Sequence, residues 1–406
     1  MVTIQTKVIG LTGPFGSGCT TAGQYIGNKA GFKHIQLSRQ LYALWNQGHP
    51  TRKASRRDLQ TLGDELRETR GTDFLVRNSL NNVRGKKLVI DGIRNIGEIA
   101  YLRDRFGYHF TLFGIIPTNQ ARWDRIGANH YNDDKKGQTA FFADDHRDQD
   151  EETDYGQQVR KCIDQADILI DNSELVTLGG YKRKVLEYLN LVTRETHRAP
   201  SREEIFMNMA YSACHSSQCL KRHVGAVVID AGNNPVGTGY NENPIGTTPC
   251  TKQYSGCFKD LIKEEHLTRL VQEEGHLYCP SCGTCIDISK GMKVVCTTCA
   301  RKGGQNTIAD LLFPERGTSF CTAIHAEAWA LSSAGERARG GELFTTTYPC
   351  LQCAEKIIHS GLKTVWFTEP YPDAVSGDRL RLAGIHLRQF EGVRCFDRMF
   401  ANTRPS

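Results

Sequence analysis

Apolar positions in the first half of the chain fall into short unbroken runs separated by longer mixed segments. Lys7–Gly13 (KVIGLTG), Lys86–Asn95 (KKLVIDGIRN), Phe110–Ile116 (FTLFGII) and Ala166–Asn172 (ADILIDN) are rich in β-branched residues and do not alternate with polar ones. Runs of that kind suit parallel strands covered on both faces. Arg56–Arg70 and Glu98–Arg105, which lie between them, read as helices. Strands alternating with helices predict an α/β domain on a mainly parallel sheet.

The pattern changes near residue 197. Thr193–Phe206 (TRETHRAPSREEIF) is polar and contains Pro200, and Ser201 followed by Glu203 and Glu204 reads as a helix start. Two domains are therefore expected, 1–196 and 197–406, in line with a length beyond what one core usually serves. The second begins with a helix and continues as a hairpin: strand His223–Asp230, a turn at Gly232-Asn233-Asn234-Pro235, and a return strand. ELFTTTYPC and KTVWFTEPYP supply later strands around a helix at Leu351–Ser360. The acidic stretch Asp144–Asp154 reads as a solvated loop or lid edge.

Composition narrows the class. Hydrophobic residues make up 39% and charged residues 24%, as in ordinary globular proteins. No apolar run approaches the roughly 20 residues that span a bilayer, and the N-terminus lacks the regions of a secretory signal. A cytoplasmic protein without a membrane partner is expected. The net charge of +6 fits phosphorylated small molecules and permits RNA contact without demanding it. Among the 15 cysteines, C-x-x-C pairs occur at Cys279/Cys282, Cys296/Cys299 and Cys350/Cys353. In a reducing compartment such pairs point to metal before disulfide.

The chemistry concentrates in CTAIHAEAWA (Cys321–Ala330) and TTTYPCLQCAEKIIHSG (Thr345–Gly361). His325, Cys350 and Cys353 offer one nitrogen and two thiolates, a donor set that leaves the fourth tetrahedral position of Zn²⁺ open. Such an ion makes hydroxide available at neutral pH. Glu327, two residues beyond the histidine, is placed to shuttle protons. A purely structural site would use four protein donors and have no use for that carboxylate. The H-x-E…P-C-x-x-C arrangement is the signature of zinc nucleobase deaminases.

With these residues the region from about 205 to 395 resembles the deoxycytidylate deaminase branch of the cytidine-deaminase-like fold. The matching stretches are KRHVGAVVID, GTGYNENPIG, CTAIHAEAWA, YPCLQCAEKIIHSGLKTVWFTEPYP and LRLAGIHLRQFEG. Tyr348-Pro349-Cys350 stands where tRNA, riboflavin and purine deaminases tend to show E-P-C. The resemblance implies a free deoxycytidine nucleotide as substrate and a homo-oligomer. It also implies that Asn241 holds the sugar and that Tyr371 packs near the base; their plainer readings are a turn asparagine and a core tyrosine. Lys221, Arg222 and His223 are either phosphate contacts or simply exposed.

Cys279, Cys282, Cys296 and Cys299 have zinc-ribbon spacing, so an insert at about 276–302 is expected to hold a structural Zn²⁺, with Cys285 as a spare for Cys282. The deoxycytidylate deaminase resemblance also suggests a further zinc on Cys250, Cys257 and Cys321, for which the sequence offers no obvious fourth donor.

Near the N-terminus, TGPFGSGCTT (Thr12–Thr21) has the spacing of a phosphate loop, but Cys19 stands where such loops carry lysine. Gly13, Gly16, Ser17, Gly18, Cys19 and Thr20 would cradle a phosphate on backbone N–H groups. Thr20 and Asp91 would face Mg²⁺, while Arg94, Arg122 and Arg125 are candidate phosphate clamps. Without the bridging cation, phosphoryl transfer should be poor while binding survives. The domain resembles nucleoside monophosphate kinases, and a glycine-rich turn with no ligand is its plainer reading.

The pairing of this domain with a deaminase resembles bacterial antiviral deoxycytidine-nucleotide deaminases, which deplete dCTP or dCMP. That resemblance implies a front domain that restrains activity through a nucleotide effector or a small regulatory RNA. The alternatives are a bifunctional nucleotide kinase and housekeeping dCMP deaminase, a nucleic-acid deaminase, and a binding regulator with an inert zinc site.

Overall fold

The computed structural model of the chain describes residues 6–127 (apart from 50, 82 and 84), 153–262 (apart from 174–177 and 255) and 321–394 (apart from 369–373), with isolated positions in 128–152 and 263–320. Two compact units emerge: Met1–Asn208 together with Gln389–Ser406, and Met209–Arg388.

The first unit holds strands β1 (Lys7–Thr12), β2 (Lys33–Gln36), β3 (Lys87–Ile93), β4 (Phe110–Ile115) and β5 (Ile168–Ile170), with the late strand β13 (Gly392–Val393). Its helices are α1 (Cys19–Ala30), α2 (Leu37–Gly48), α3 (Arg56–Arg70), α4 (Phe74–Leu80), α5 (Ile96–Phe106), α6 (Asn119–Arg122), α7 (Val159–Asp164) and α8 (Leu178–Thr193). The sheet order is β13-β5-β4-β1-β3-β2, in which β1 pairs parallel with β3 and β4, β2 with β3, and β4 with β5. β13 runs antiparallel to β5, so the sheet is parallel with one antiparallel edge. Gly392 and Val393, which the sequence division placed in the second domain, pair with Leu169 and Ile168 of β5 in the first unit.

The unbroken apolar runs are buried on both faces, as their composition requires. Ile9, Leu11, Val89, Phe113, Ile115, Ile168 and Ile170 pack with Ala22 and Ile26 of α1 and with Tyr181, Val185 and Leu189 of α8. A fully buried aliphatic side chain of this type contributes about 1.5–3 kcal/mol. Helix starts are fixed locally as well: Ser55 with Asp58, and Asn95 with Glu98, form capping boxes at α3 and α5.

Helix α9 (Arg202–Cys214) leads into the second unit. The strands there are β6 (Gly225–Ile229), β7 (Pro235–Tyr240), β10 (Glu342–Thr345), β11 (Thr364–Phe367) and β12 (His386–Gln389), in the order β12-β11-β10-β6-β7. β6 is antiparallel to β7 and β10, and β10 is parallel to β11. Helices α10 (Cys250–Gln253), α11 (Ala326–Ala334), α12 (Leu351–Ser360) and α13 (Ala374–Leu382) complete the described elements that matter here. A two-strand antiparallel ladder, β8 (Leu277–Tyr278) with β9 (Cys285–Ile286), falls within the expected ribbon region.

The alanine-rich helix α11 lies close against β7, with Ala326, Ala330 and Ala334 in the same core as Val224, Ala226 and Val228. Glycine at 239 permits the approach, since a Cβ there would collide with the Ala326 carbonyl oxygen. This contact sets the height of the first turn of α11 above the sheet, where Glu327 lies just after His325.

Candidate functional site

His325 and Cys350 occupy equivalent places, each the extended residue immediately before a helix: His325 before α11 and Cys350 before α12. Cys353 lies in the first turn of α12. Both sulfurs thus stand at the positive end of a helix, which favours thiolate. The Nδ1 atom of His325 is 3.3 Å from Cys350 Sγ and 3.3 Å from Cys353 Sγ. Among the described residues, these three form the one group of histidine, cysteine and carboxylate donors whose ligand atoms all lie within 4.8 Å of one another. Glu327, only 2% exposed, brings Oε2 to 3.5 Å from Cys353 Sγ. The turn before Cys350 is held by the buried Ser376, whose hydroxyl donates to the Pro349 carbonyl at 2.8 Å.

The electrostatics match this layout. A hydrogen bond from Cys353 holds the Cys350 thiol down to about 4, and the same bond, with burial, pushes Cys353 up. Hydrogen bonding to Cys350 raises His325, and burial raises Glu327. One imidazole and two sulfurs, converging with a carboxylate alongside, fit a tetrahedral Zn²⁺ with one open position.

Other expected site residues fall differently. Asn241 spends its side chain on the main chain: Nδ2 donates to the Arg222 carbonyl at 2.8 Å, and Oδ1 accepts from Val224 N–H at 2.7 Å. In this arrangement Asn241 ties its loop to the main chain at Arg222 and Val224. Lys221 pairs with Asp260. Tyr371 and the ribbon cysteines Cys279, Cys282, Cys296 and Cys299 lie outside the described residues. Cys250, Cys257 and Cys321 line one cavity of about 30 Å³, and Cys219 joins them there. No spacing signal marked Cys219, which has no C-x-x-C partner and stands well before the other three in the chain.

In the first unit, Gly16 and Gly18 adopt positive φ (78° and 101°), and Cys19 opens α1. A side chain at either glycine would be strained. The loop is braced from behind: Asn172 Nδ2 donates to the Ser17 carbonyl at 2.8 Å and the Tyr181 hydroxyl to the Gly18 carbonyl at 3.0 Å. Cys19 Sγ lies 3.2 Å from Ser17 Oγ, and burial, reinforced by Asp91, pushes its thiol up to about 12. A neutral thiol therefore replaces the cation of an ordinary phosphate loop. Thr20 is exposed, while Asp91 accepts from Gln36 and faces His34 Nε2 at 3.5 Å.

The expected clamps have protein partners. Arg94 donates to Gln157, and Arg125 to the Asn172 carbonyl. Arg122 is fully buried, with both terminal nitrogens on Asp145 at 2.6 and 2.7 Å and a further bond to the Phe15 carbonyl. Asp145 is 1% exposed, so this member of the acidic stretch is a buried ion-pair partner, not a solvated loop residue.

Comparison with known proteins places both halves. Residues 200–369 match the family profile described as "Cytidine and deoxycytidylate deaminase zinc-binding region", and residues 9–156 match one described as "AAA domain". Deoxycytidylate deaminase of Schizosaccharomyces pombe is 29% identical over 228 residues, covering 55% of this chain and 54% of the relative. Deoxycytidylate deaminase of Enterobacteria phage T4 is 28% identical over 186 residues, covering 45% of this chain and 86% of the relative. A UPF0200 protein of Methanosarcina acetivorans is 30% identical over 129 residues, covering 31% and 65%. The chain spans about half the length of the two yeast relatives, 54% and 45%. Among the described residues, no helix is long and apolar enough to cross a membrane. The chain thus joins an N-terminal α/β domain that matches an AAA profile to a C-terminal domain that matches the zinc-binding region of cytidine and deoxycytidylate deaminases.

Proposed function

We propose that the protein hydrolyses the 4-amino group of deoxycytidine nucleotides, dCMP or dCTP, giving the deoxyuridine nucleotide and ammonia. The observation that carries this reading is the convergence of His325, Cys350 and Cys353 within 4.8 Å beside the buried Glu327. Zn²⁺ held by those three residues supplies the positive charge that makes water a nucleophile at neutral pH. Glu327 takes a proton from the attacking water and delivers it to N3 of the pyrimidine. It then transfers a second proton to the departing nitrogen, so that C4–NH₂ and water become C4=O and NH₃. Burial favours the protonated form of Glu327, which suits a group that must hold a proton between transfers.

The first unit acts in this reading as a nucleotide-binding regulator. The glycine cradle and the N-terminus of α1 would receive a phosphate, with Thr20 and Asp91 toward Mg²⁺, while neutral Cys19 cannot assist transfer. Nucleotide or small-RNA occupancy would set deaminase activity, assembly would be homo-oligomeric, and depletion of the deoxycytidine nucleotide pool would serve defence against phage. The structural zinc on Cys279, Cys282, Cys296 and Cys299 and the base contact of Tyr371 belong to the same proposal.

The test uses the full-length protein with zinc, offered cytidine and deoxycytidine at every phosphorylation level, with ammonia measured. Release confined to the deoxynucleotides supports the reading, and release from an oligonucleotide alone overturns it. Adding ATP, GTP or dTTP to wild type and to Thr20→Ala tests the regulatory part, and rates that never respond remove it. Rapid ADP formation from ATP and a deoxynucleoside monophosphate would instead favour a bifunctional kinase.

A further inference from the structure

The two bonds that brace the phosphate loop have a common anchor. A trans peptide points its C=O and the following N–H in opposite directions. Holding the Ser17 and Gly18 carbonyls from behind, as Asn172 and Tyr181 do, therefore aims the N–H groups of Gly18 and Cys19 away from the braces. Asn172 follows the end of β5, and Tyr181 lies in the first turn of α8. One carboxylate joins these two places. Glu391 Oε2 accepts from the Asp171 N–H at 3.3 Å, next to Asn172, and from Lys184 Nζ at 2.7 Å, one turn beyond Tyr181. Lys184 Nζ also donates to the Asp171 carbonyl at 3.2 Å, which closes the clasp.

Glu391 reaches this position because β13 runs back along β5, with Gly392 opposite Leu169, Val393 opposite Ile168, and the Arg394 N–H on the Asp167 carbonyl at 2.8 Å. Those main-chain bonds hold the edge strand by themselves, so the Glu391 side chain is left to act on the end of β5. We infer that Glu391 is a positioning residue for the phosphate loop: it clasps β5 to α8 and, through Asn172 and Tyr181, sets the direction in which Gly18 and Cys19 present their N–H groups. It comes two residues after β12, so the loop near the start of the chain is completed by sequence that follows the whole deaminase-like region. The inference rests on the nucleotide reading of the loop for its ligand, not for the clasp itself.

The experiment compares full-length wild type with Glu391→Ala, Glu391→Gln and Lys184→Met. Iodoacetamide labelling of the native proteins, mapped by mass spectrometry, reports the loop through Cys19, and Cys162, buried in α7 of the same unit, reports the fold around it. Calorimetric titration with ATP, GTP and dTTP reports binding. Glu391→Ala is expected to speed labelling at Cys19 and not at Cys162, and to weaken nucleotide binding about tenfold or more, the worth of a hydrogen bond to a charged group. Glu391→Gln, which keeps an oxygen for the Asp171 N–H, should fall between it and wild type. Ammonia release without added nucleotide should be unchanged in both. Wild-type labelling at Cys19 in folded Glu391→Ala overturns the inference, and so does an equal rise at Cys162, which would mean a general loosening. If Glu391→Ala does not fold, Lys184→Met takes its place, and unchanged labelling at Cys19 there overturns it equally. Faster Cys19 labelling in a protein whose wild type binds none of the three nucleotides upholds the clasp and removes only the nucleotide reading.

Discussion

The two halves place comparable equipment at the starts of helices and use it differently. In the second unit, the residues before α11 and α12 direct an imidazole and a sulfur at a common point, with Cys353 and Glu327 beside it. At the phosphate loop of the first unit, the side chains turn to the protein itself. Cys19 meets Ser17, Arg122 meets Asp145, and Asn172 and Tyr181 brace the loop carbonyls. Convergence on an outside atom marks a place where bonds can be rearranged. Mutual satisfaction marks a place that holds its shape and presents only backbone.

The largest expected effect tests the convergent side. Glu327→Ala should lower ammonia release by about 10²–10⁴-fold, the usual contribution of a positioned acid–base group, with zinc content unchanged. A residual rate near wild type would put the proton path elsewhere. Gly239→Ala should come next, because its methyl would collide with the Ala326 carbonyl and force the first turn of α11 from the sheet. Chelator competition should then show zinc affinity reduced about 10–100-fold, as when supports of metal ligands are lost.

A smaller effect concerns the linker into the second unit. Glu204 is buried, which alone would raise its carboxyl, yet bonds from Arg198, Val393 N–H and Ser201 N–H outweigh this and hold it below its ordinary 4.5. A depressed folded value means stabilisation that is complete above about pH 4.5 and fades as pH falls through the lower folded value. Glu204→Gln should cost about 1.5–3 kcal/mol at pH 7, and the gap in Tm from wild type should narrow in acid. A constant gap would remove the charge from the explanation. The smallest expected effect is none: with its thiol pushed up to about 12, Cys19 should resist iodoacetamide at roughly pH 8 in the native protein and react after denaturation. Rapid native labelling would make the phosphate loop a reactive site and erase the contrast.

The legible parts of the sequence were those whose cause is local. β1, β3, β4 and β5 announced themselves because burial on both faces demands continuous apolar runs, and α12 lay at Leu351–Ser360 as read. The donor set was legible because H-x-E and C-x-x-C each sit within one helical turn. β2, with the sequence KHIQ, is short and half polar, so no periodicity marked it. β13 is two residues long and takes its meaning from β5, far earlier in the chain. Cys219 was invisible for the same reason, since only tertiary folding brings it to Cys250, Cys257 and Cys321. The partners of Arg122 and Arg125 were equally out of reach, because an arginine's hydrogen bonds leave no trace in spacing.

The short ladder between β13 and β5 has a practical corollary for anyone dissecting the protein. In chain order, 209–388 is enclosed between two portions of the other unit. One cut near the linker would leave the edge strand orphaned on the wrong fragment, together with the Val393 amide that Glu204 accepts from. Separating the two units therefore calls for excision at both borders, or for point substitutions in an intact polypeptide.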